Sequence, residues 1–189
     1  NLNKKYIYII GNAYRAHSVS SFIINSGYKY YYYADFIKCY FKDYKFMAIA
    51  GSHGKTTSTK MLASLIDASY LIGDGTGHGK NKENFIIEAC EYKDTFLTYN
   101  PDISLVLNID YDHPDYYKNL EQYIESFKKF IYNSKLCIVN GDDKNIRKII
   151  DNSIITYGLN DNNDVIFEYE IINNNTIVKI LDEKFIIPY

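Results

Sequence analysis

One short string limits this chain more than any other: Gly51-Ser52-His53-Gly54-Lys55-Thr56-Thr57, set between the apolar run 46–50 and a stretch of helical period. Glycines let successive backbone N–H groups curl around an anion with no Cβ in the way. The helix start adds unpaired N–H groups and the positive end of its dipole. Lys55 brings a full charge to the terminal phosphates, and the Thr56 hydroxyl suits a bound Mg²⁺. A loop of this kind leaves a strand and opens a helix, so it calls for an α/β layered fold. The common mononucleotide pattern also needs glycine at position 49, where this chain has Ile49. That departure argues against an ordinary GTPase or kinase loop.

The rest of the chain fits the same architecture. Apolar runs at 6–10, 46–50, 70–72, 85–87, 103–107 and 136–139 read as strands, and the continuous ones as strands buried on both faces. Helical spacing predicts helices over 34–41, from Lys55 onward with Met61, Leu62, Leu65 and Ile66 on one face, and over 145–150. A further stripe runs through Leu120, Tyr123, Ile124, Phe127, Phe130 and Ile131. The glycine-rich stretch 73–79 reads as a loop. Beyond residue 154 the texture changes. Strand-like runs at 154–157, 165–172, 176–181 and 185–187 alternate with polar turns such as Asn173-Asn174-Asn175. The expected fold is therefore a mostly parallel α/β sheet with a small antiparallel β appendage at its C-terminal end. The run 30–33, all tyrosine, reads as compositional bias at half-buried strand positions.

Composition narrows the partners. With 21 Lys and Arg against 23 Asp and Glu, the formal net charge is −2, so no broad field favours nucleic acid or an anionic membrane. Phosphate binding has to come from the local loop. Cys39, Cys90 and Cys137 are too sparse for a disulfide framework or a zinc ribbon, which fits a reducing cytoplasm.

Strand ends supply the remaining candidates. Glu88 follows the run 85–87, at the carboxyl edge where open α/β sheets bind ligands, and its carboxylate is a hard donor suited to Mg²⁺. His113 follows the run 103–109; imidazole is not a preferred Mg²⁺ ligand, and on the residues alone a lone histidine is more often structural. Asp112 and Asp115 are placed to orient it. Asn108 is a polar residue closing an apolar strand, Glu91 a neighbour of Glu88, and His53 either a phosphate contact or a brace of the loop.

In its form G-x-H-G-K-T-[ST], the loop resembles that of the Mur ligase family. The likeness continues through Glu88-Ala89-Cys90-Glu91-Tyr92, Phe96-Leu97, Asn100-Pro101-Asp102 and Asn108-Ile109-Asp110-Tyr111-Asp112-His113-Pro114-Asp115-Tyr116-Tyr117. Leu71-Ile72-Gly73-Asp74-Gly75-Thr76-Gly77 is similar to the members that add alanine. The resemblance implies a P-loop NTPase-like central domain, with ATP as substrate, Mg²⁺, and UDP-N-acetylmuramate and L-alanine as small-molecule partners in cytoplasmic peptidoglycan synthesis. It implies phosphate binding by Gly51, Ser52, His53, Gly54, Lys55, Thr56 and Thr57, metal binding by Thr56, Glu88 and His113, and catalysis by Lys55, Glu88 and His113. Asn108 and Asp112 are lesser candidates. It divides the chain into 1–45, the closing part of a UDP-sugar-binding domain, and 46–189, a central ATP-binding domain incomplete at its end. The C-terminal ligase domain is expected to be absent, and the piece alone inactive. A ligase of the murein tripeptide or folylpolyglutamate type, or a nucleotide-binding remnant without turnover, are the alternatives.

Overall fold

In a computed structural model, residues 2–79, 83–173 and 175–188 are described. Asn1 and Tyr189, the ends of the two expected domains, and Asn174, inside a predicted turn, lie outside them.

The chain opens with β1 (Tyr8–Ile10), a 3-10 turn (Asn12–Tyr14), α1 (Ser18–Asn25), β2 (Tyr30–Tyr32) and α2 (Tyr33–Tyr40). β1 and β2 pair in parallel, Tyr8 opposite Tyr30, as a two-stranded sheet apart from the main one. The tyrosine run thus forms a strand and starts a helix. α1 has no counterpart in the sequence reading: it is serine-rich and buries only Ser20 and Ile23, so its apolar period is weak.

Next come β3 (Lys45–Ala50), α3 (Lys55–Leu65), β4 (Ser69–Leu71), β5 (Gly77–His78), β6 (Asn84–Glu88), β7 (Ile103–Val106), α4 (Leu120–Tyr132), β8 (Leu136–Asn140), α5 (Lys144–Arg147), β9 (Ile155–Gly158), β10 (Val165–Ile172), β11 (Asn175–Ile180) and β12 (Glu183–Pro188). They build one ten-stranded sheet, in the order β12-β11-β10-β9-β8-β7-β3-β6-β4-β5. Every pair from β10 to β4 is parallel, while β4–β5, β10–β11 and β11–β12 are antiparallel. The expected α/β class and antiparallel end are both present. The antiparallel part starts later than expected: β9 belongs to the parallel core, and β10 enters alongside it at Tyr157–Val165 before turning to pair with β11.

Period-two alternation sends the two faces of β3 into different cores. Phe46, Ala48 and Ala50 join Phe85, Ile87, Phe127 and Phe130 under α2 and α4. Met47 and Ile49 join Ile86 and Ala63 under α3. The α4 stripe is buried at Tyr123, Phe127, Phe130 and Ile131 and half-buried at Leu120 and Ile124, with the Asn119 side chain capping the helix by accepting from the Gln122 N–H at 2.9 Å.

α3 departs from its predicted face. Its fully buried residues are Thr59 and Ala63, flanked by partly buried Leu62 and Ile66, whereas Met61 is 51% and Leu65 81% exposed. Small side chains at 59 and 63 let the helix lie close to the sheet, and the larger apolar residues are left outside that contact. α5 is also shorter than predicted. Asp143 caps it by accepting from the N–H groups of Asn145 and Ile146. No helix among the described residues is long and apolar enough to cross a membrane.

Candidate functional site

β6 and β7 flank β3, and all three run the same way, so the loops leaving their carboxyl ends converge. The chain crosses from one side of β3 to the other between β6 and β7. Ligands of open α/β sheets bind at such a reversal.

The loop after β3 depends on two glycines with positive φ, Gly51 at 150° and Gly54 at 82°. A Cβ at Gly51 would stand 3.1 Å from Leu107 Cβ, so this position needs glycine for space as well as conformation. The loop after β7 holds it in shape. Asn108 accepts the His53 N–H at 2.8 Å through Oδ1 and donates through Nδ2 to the His53 carbonyl at 3.0 Å. The Ser52 hydroxyl donates to the Asp110 carbonyl at 2.7 Å and accepts the Asp110 N–H at 2.8 Å. It also lies 2.9 Å from the Tyr123 hydroxyl. Asn108 is thereby engaged as a brace. The His53 imidazole is largely exposed, with Nε2 3.8 Å from Asp110, and Thr57 is exposed as well.

Lys55, first residue of α3, folds back over the loop. Its ammonium donates to the Gly51 carbonyl at 2.5 Å, the Ser52 carbonyl at 3.2 Å and Glu91 Oε1 at 3.0 Å. Thr56 donates to Glu88 Oε2 at 2.9 Å, and the Gly73 N–H donates to the same oxygen at 2.9 Å. A Cβ on Gly73 would sit 2.6 Å from Glu88 Oε1, so glycine leaves room for this carboxylate.

His113 has φ of 56°, and its carbonyl accepts from the N–H groups of Tyr116 and Tyr117, each at 3.0 Å. Its Nε2 is 3.5 Å from Glu91 Oε1 and 3.9 Å from Asp112 Oδ2. Asp112 also accepts the His113 N–H at 2.7 Å. Asp115 instead accepts from the Tyr92 hydroxyl at 2.5 Å, and the Tyr92 ring packs 4.8 Å from that of His113. Two groups result: Thr56 with Glu88, and Glu91 with Asp112 and His113, the second paired with Lys55 through Glu91.

The sequence reading made Glu91 a mere neighbour of Glu88. Its carboxylate is only 1% exposed and pairs with Lys55. Behind it stands an unforeseen support. Asp94 and Lys93 both have positive φ, at 56° and 53°. Asp94 accepts from the hydroxyls of Tyr116 at 2.7 Å and Tyr117 at 3.0 Å, and from Ser126. Tyr117 also donates to the Glu91 carbonyl at 2.6 Å. The hydrogen bond to Asp94 pushes the Tyr116 phenol up to about 12, and burial raises those of Tyr117 and Tyr123, so all three stay protonated donors near neutral pH. The Tyr116-Tyr117 pair was visible in the chain; nothing local marked Asp94.

The donor set fits a hard divalent cation. Ligand atoms of Glu91, Asp112 and His113 lie within 4.8 Å of one another, mostly oxygen, and the buried Glu91 Oε2 accepts no hydrogen bond. Thr56 and Glu88 add two more oxygens beside the loop.

A mostly parallel sheet with helices on both faces, and a glycine–lysine loop at its carboxyl edge, defines an α/β protein of layered type. The chain belongs to the Mur ligase family: the family model described as Mur ligase middle domain matches residues 76–186. It is 39% identical over 167 residues to UDP-N-acetylmuramate–L-alanine ligase of Streptococcus suis (strain 05ZYH33), covering 84% of this chain and 38% of that protein. Among solved structures, UDP-N-acetylmuramate-alanine ligase from Thermotoga maritima superposes with a TM-score of 0.77 at 17% identity, covering 95% of this chain and 46% of the other. The MurF ligase from Thermotoga maritima in complex with ADP gives a TM-score of 0.66 at 16% identity, covering 98% of this chain and 56% of that one. The chain spans about two fifths of the length of the curated relatives it matches.

Proposed function

We propose that this chain is the ATP-binding part of a cytoplasmic ligase that joins L-alanine to UDP-N-acetylmuramate in peptidoglycan synthesis. Residues 46–189 form the central ATP-binding domain, and 1–45 close a UDP-sugar-binding one. The observation that carries the reading is the convergence of Lys55, Thr56–Glu88 and Glu91–Asp112–His113 on one glycine loop. Its support is the name shared by the curated relatives and the ADP bound by the MurF ligase. Three free cysteines fit a reducing compartment.

In the reaction, a carboxylate oxygen of the sugar acid attacks the γ-phosphorus of ATP and ADP leaves. The amine of alanine then attacks the acyl carbon, the C–O bond to phosphate breaks, and the nitrogen loses a proton. The loop N–H groups of residues 51–57 position the phosphates, and the Lys55 charge opposes the charge gathered on the transferred group. Thr56 with Glu88, and His113 with Asp112 beside it, would each hold Mg²⁺. Bound there, the metal would supply charge neutralisation at the phosphoryl oxygens. Asn108 and Ser52 keep the cradle preformed, so little reorganisation accompanies binding.

Titration of the chain with ADP and Mg²⁺ should show binding that Lys55→Ala removes. Given ATP, Mg²⁺ and UDP-N-acetylmuramate, protein carrying this segment should release ADP on addition of L-alanine and not of D-glutamate. Release with D-glutamate alone would move the substrate assignment to another branch of the family.

A further inference from the structure

Lysine has three ammonium donors, and in this structure each of the three on Lys55 meets a protein acceptor: the carbonyls of Gly51 and Ser52, and Glu91 Oε1. No N–H of Lys55 is left for a phosphate. A nucleotide entering the loop has to draw the ammonium away from at least one of these partners.

Glu91 is the partner for which that loss matters most. It is 1% exposed, so an ionised Glu91 without a countercharge is strongly unfavourable. Its other neighbours are His113 Nε2 at 3.5 Å and the Tyr123 hydroxyl at 3.4 Å. Oε2 lies 3.0 Å from the same ammonium, yet no hydrogen bond points at it. Asp112 and His113 bring their own donor atoms to within 4.8 Å of this carboxylate.

We propose that Glu91 is a positioning residue that couples nucleotide binding to cation binding. With the loop empty it holds Lys55 against Gly51 and Ser52. When phosphates take the lysine, Glu91 accepts a divalent cation in its place, shared with Asp112 and His113. The inference rests on the nucleotide-binding reading and deepens it: tight binding becomes conditional on the cation because a buried carboxylate must exchange one positive partner for another.

The test measures the affinity of the full chain for ADP in EDTA and in saturating Mn²⁺, for wild type and the near-isosteric Glu91→Gln. Mn²⁺ also binds ADP directly, so the informative quantity is the change in the ratio of the two affinities between proteins. Glu91→Gln is expected to bind ADP more tightly than wild type in EDTA, since Lys55 is no longer held. The gain from Mn²⁺ should shrink by about tenfold, within the usual size of site–site coupling. A second variant, Asp112→Asn, removes a charge from the same cluster without removing the Lys55–Glu91 pair, and it should also reduce the Mn²⁺ gain. Coupling is reciprocal, so ADP should raise Mn²⁺ affinity, read by paramagnetic resonance, by the same factor. An unchanged ratio in Glu91→Gln overturns the proposal. Should that variant fail to fold, an unchanged ratio in Asp112→Asn overturns it equally. Wild-type binding that is strong and indifferent to Mn²⁺ sinks this inference alone, whereas no ADP binding in either buffer sinks the nucleotide reading along with it.

Discussion

β3 and β12 are written in similar letters and live in opposite surroundings. β3 buries every residue from Phe46 to Ala50, between α3 on one face and α2 with α4 on the other. In the β10–β12 meander, Tyr169, Ile171, Phe185 and Ile186 are each more than half exposed. Apolar, β-branched and aromatic residues suffice to make both regions strands. Burial depends on helices that only the parallel crossovers supply, since a short hairpin brings no cover with it. The site sits on the region with two covered faces, where its supporting loops are also tied to one another.

That contrast predicts unequal responses to the same truncation. Phe127→Ala, in a side chain with no exposure, is expected to lower unfolding stability by about 3–5 kcal/mol. Phe185→Ala, at a side chain 51% exposed, should change it by less than about 0.5 kcal/mol. Urea midpoints with an unchanged slope would check both. Equal losses would mean that the meander is covered in solution.

The second test reaches the support behind the site. Asp94→Ala leaves the hydroxyls of Tyr116, Tyr117 and Ser126 without a common acceptor. Tyr117 keeps the Glu91 carbonyl, but leaving the Tyr116 and Ser126 hydroxyls unsatisfied is expected to take away about 1–3 kcal/mol, again from urea midpoints. A loss no larger than that of Tyr169→Ala in the meander would show that the loop beside Glu91 is as loosely held as the tail.

The strands of both regions were legible, those of the meander to within two residues of β10, β11 and β12. Strands of the parallel core announce themselves because burial on both faces demands an unbroken apolar run, as at 85–87 and 46–50. The glycine–lysine loop is legible because its function lies in consecutive backbone and side-chain groups. The buried face of α3 was not: spacing favours the large residues Met61 and Leu65, whereas close packing on the sheet selects Thr59 and Ala63. The lysine's partner was missed for a related reason. Glu88 and Glu91 look alike along the chain, and only the fold assigns one to Thr56 and the other to Lys55. Asp94 was unreadable because its tyrosine partners lie more than twenty residues away.

A smaller effect sharpens the comparison within the site itself. Gly73→Ala places a methyl where Glu88 now sits, and the carboxylate, at the end of a flexible side chain, has to swing away from Thr56. Stability should fall by less than about 1 kcal/mol, as for a tolerated loop substitution. The Mg²⁺-dependent part of ADP affinity should weaken several-fold. Calorimetry on the same sample reads both quantities, and unchanged affinity would remove Glu88 from the cation site.

The smallest expected effect is one of pH. Asp164 accepts the Thr156 N–H and the Thr156 hydroxyl, both at 2.8 Å, where β9 hands over to β10. The backbone bond first, then the hydroxyl, hold its carboxyl below the ordinary range. A carboxylate whose folded pKa is depressed contributes stability above its unfolded value, about 3.9, and that contribution is lost as pH falls through the folded value. Acid below about pH 3.9 should therefore lower amide protection at the β9–β10 junction before it does so in β3 and β6. Asp164→Asn should advance the junction's exchange at neutral pH and flatten its dependence on acid. Simultaneous loss of protection in all four strands would make the tail and core one cooperative unit, and the contrast between them a matter of exposure alone.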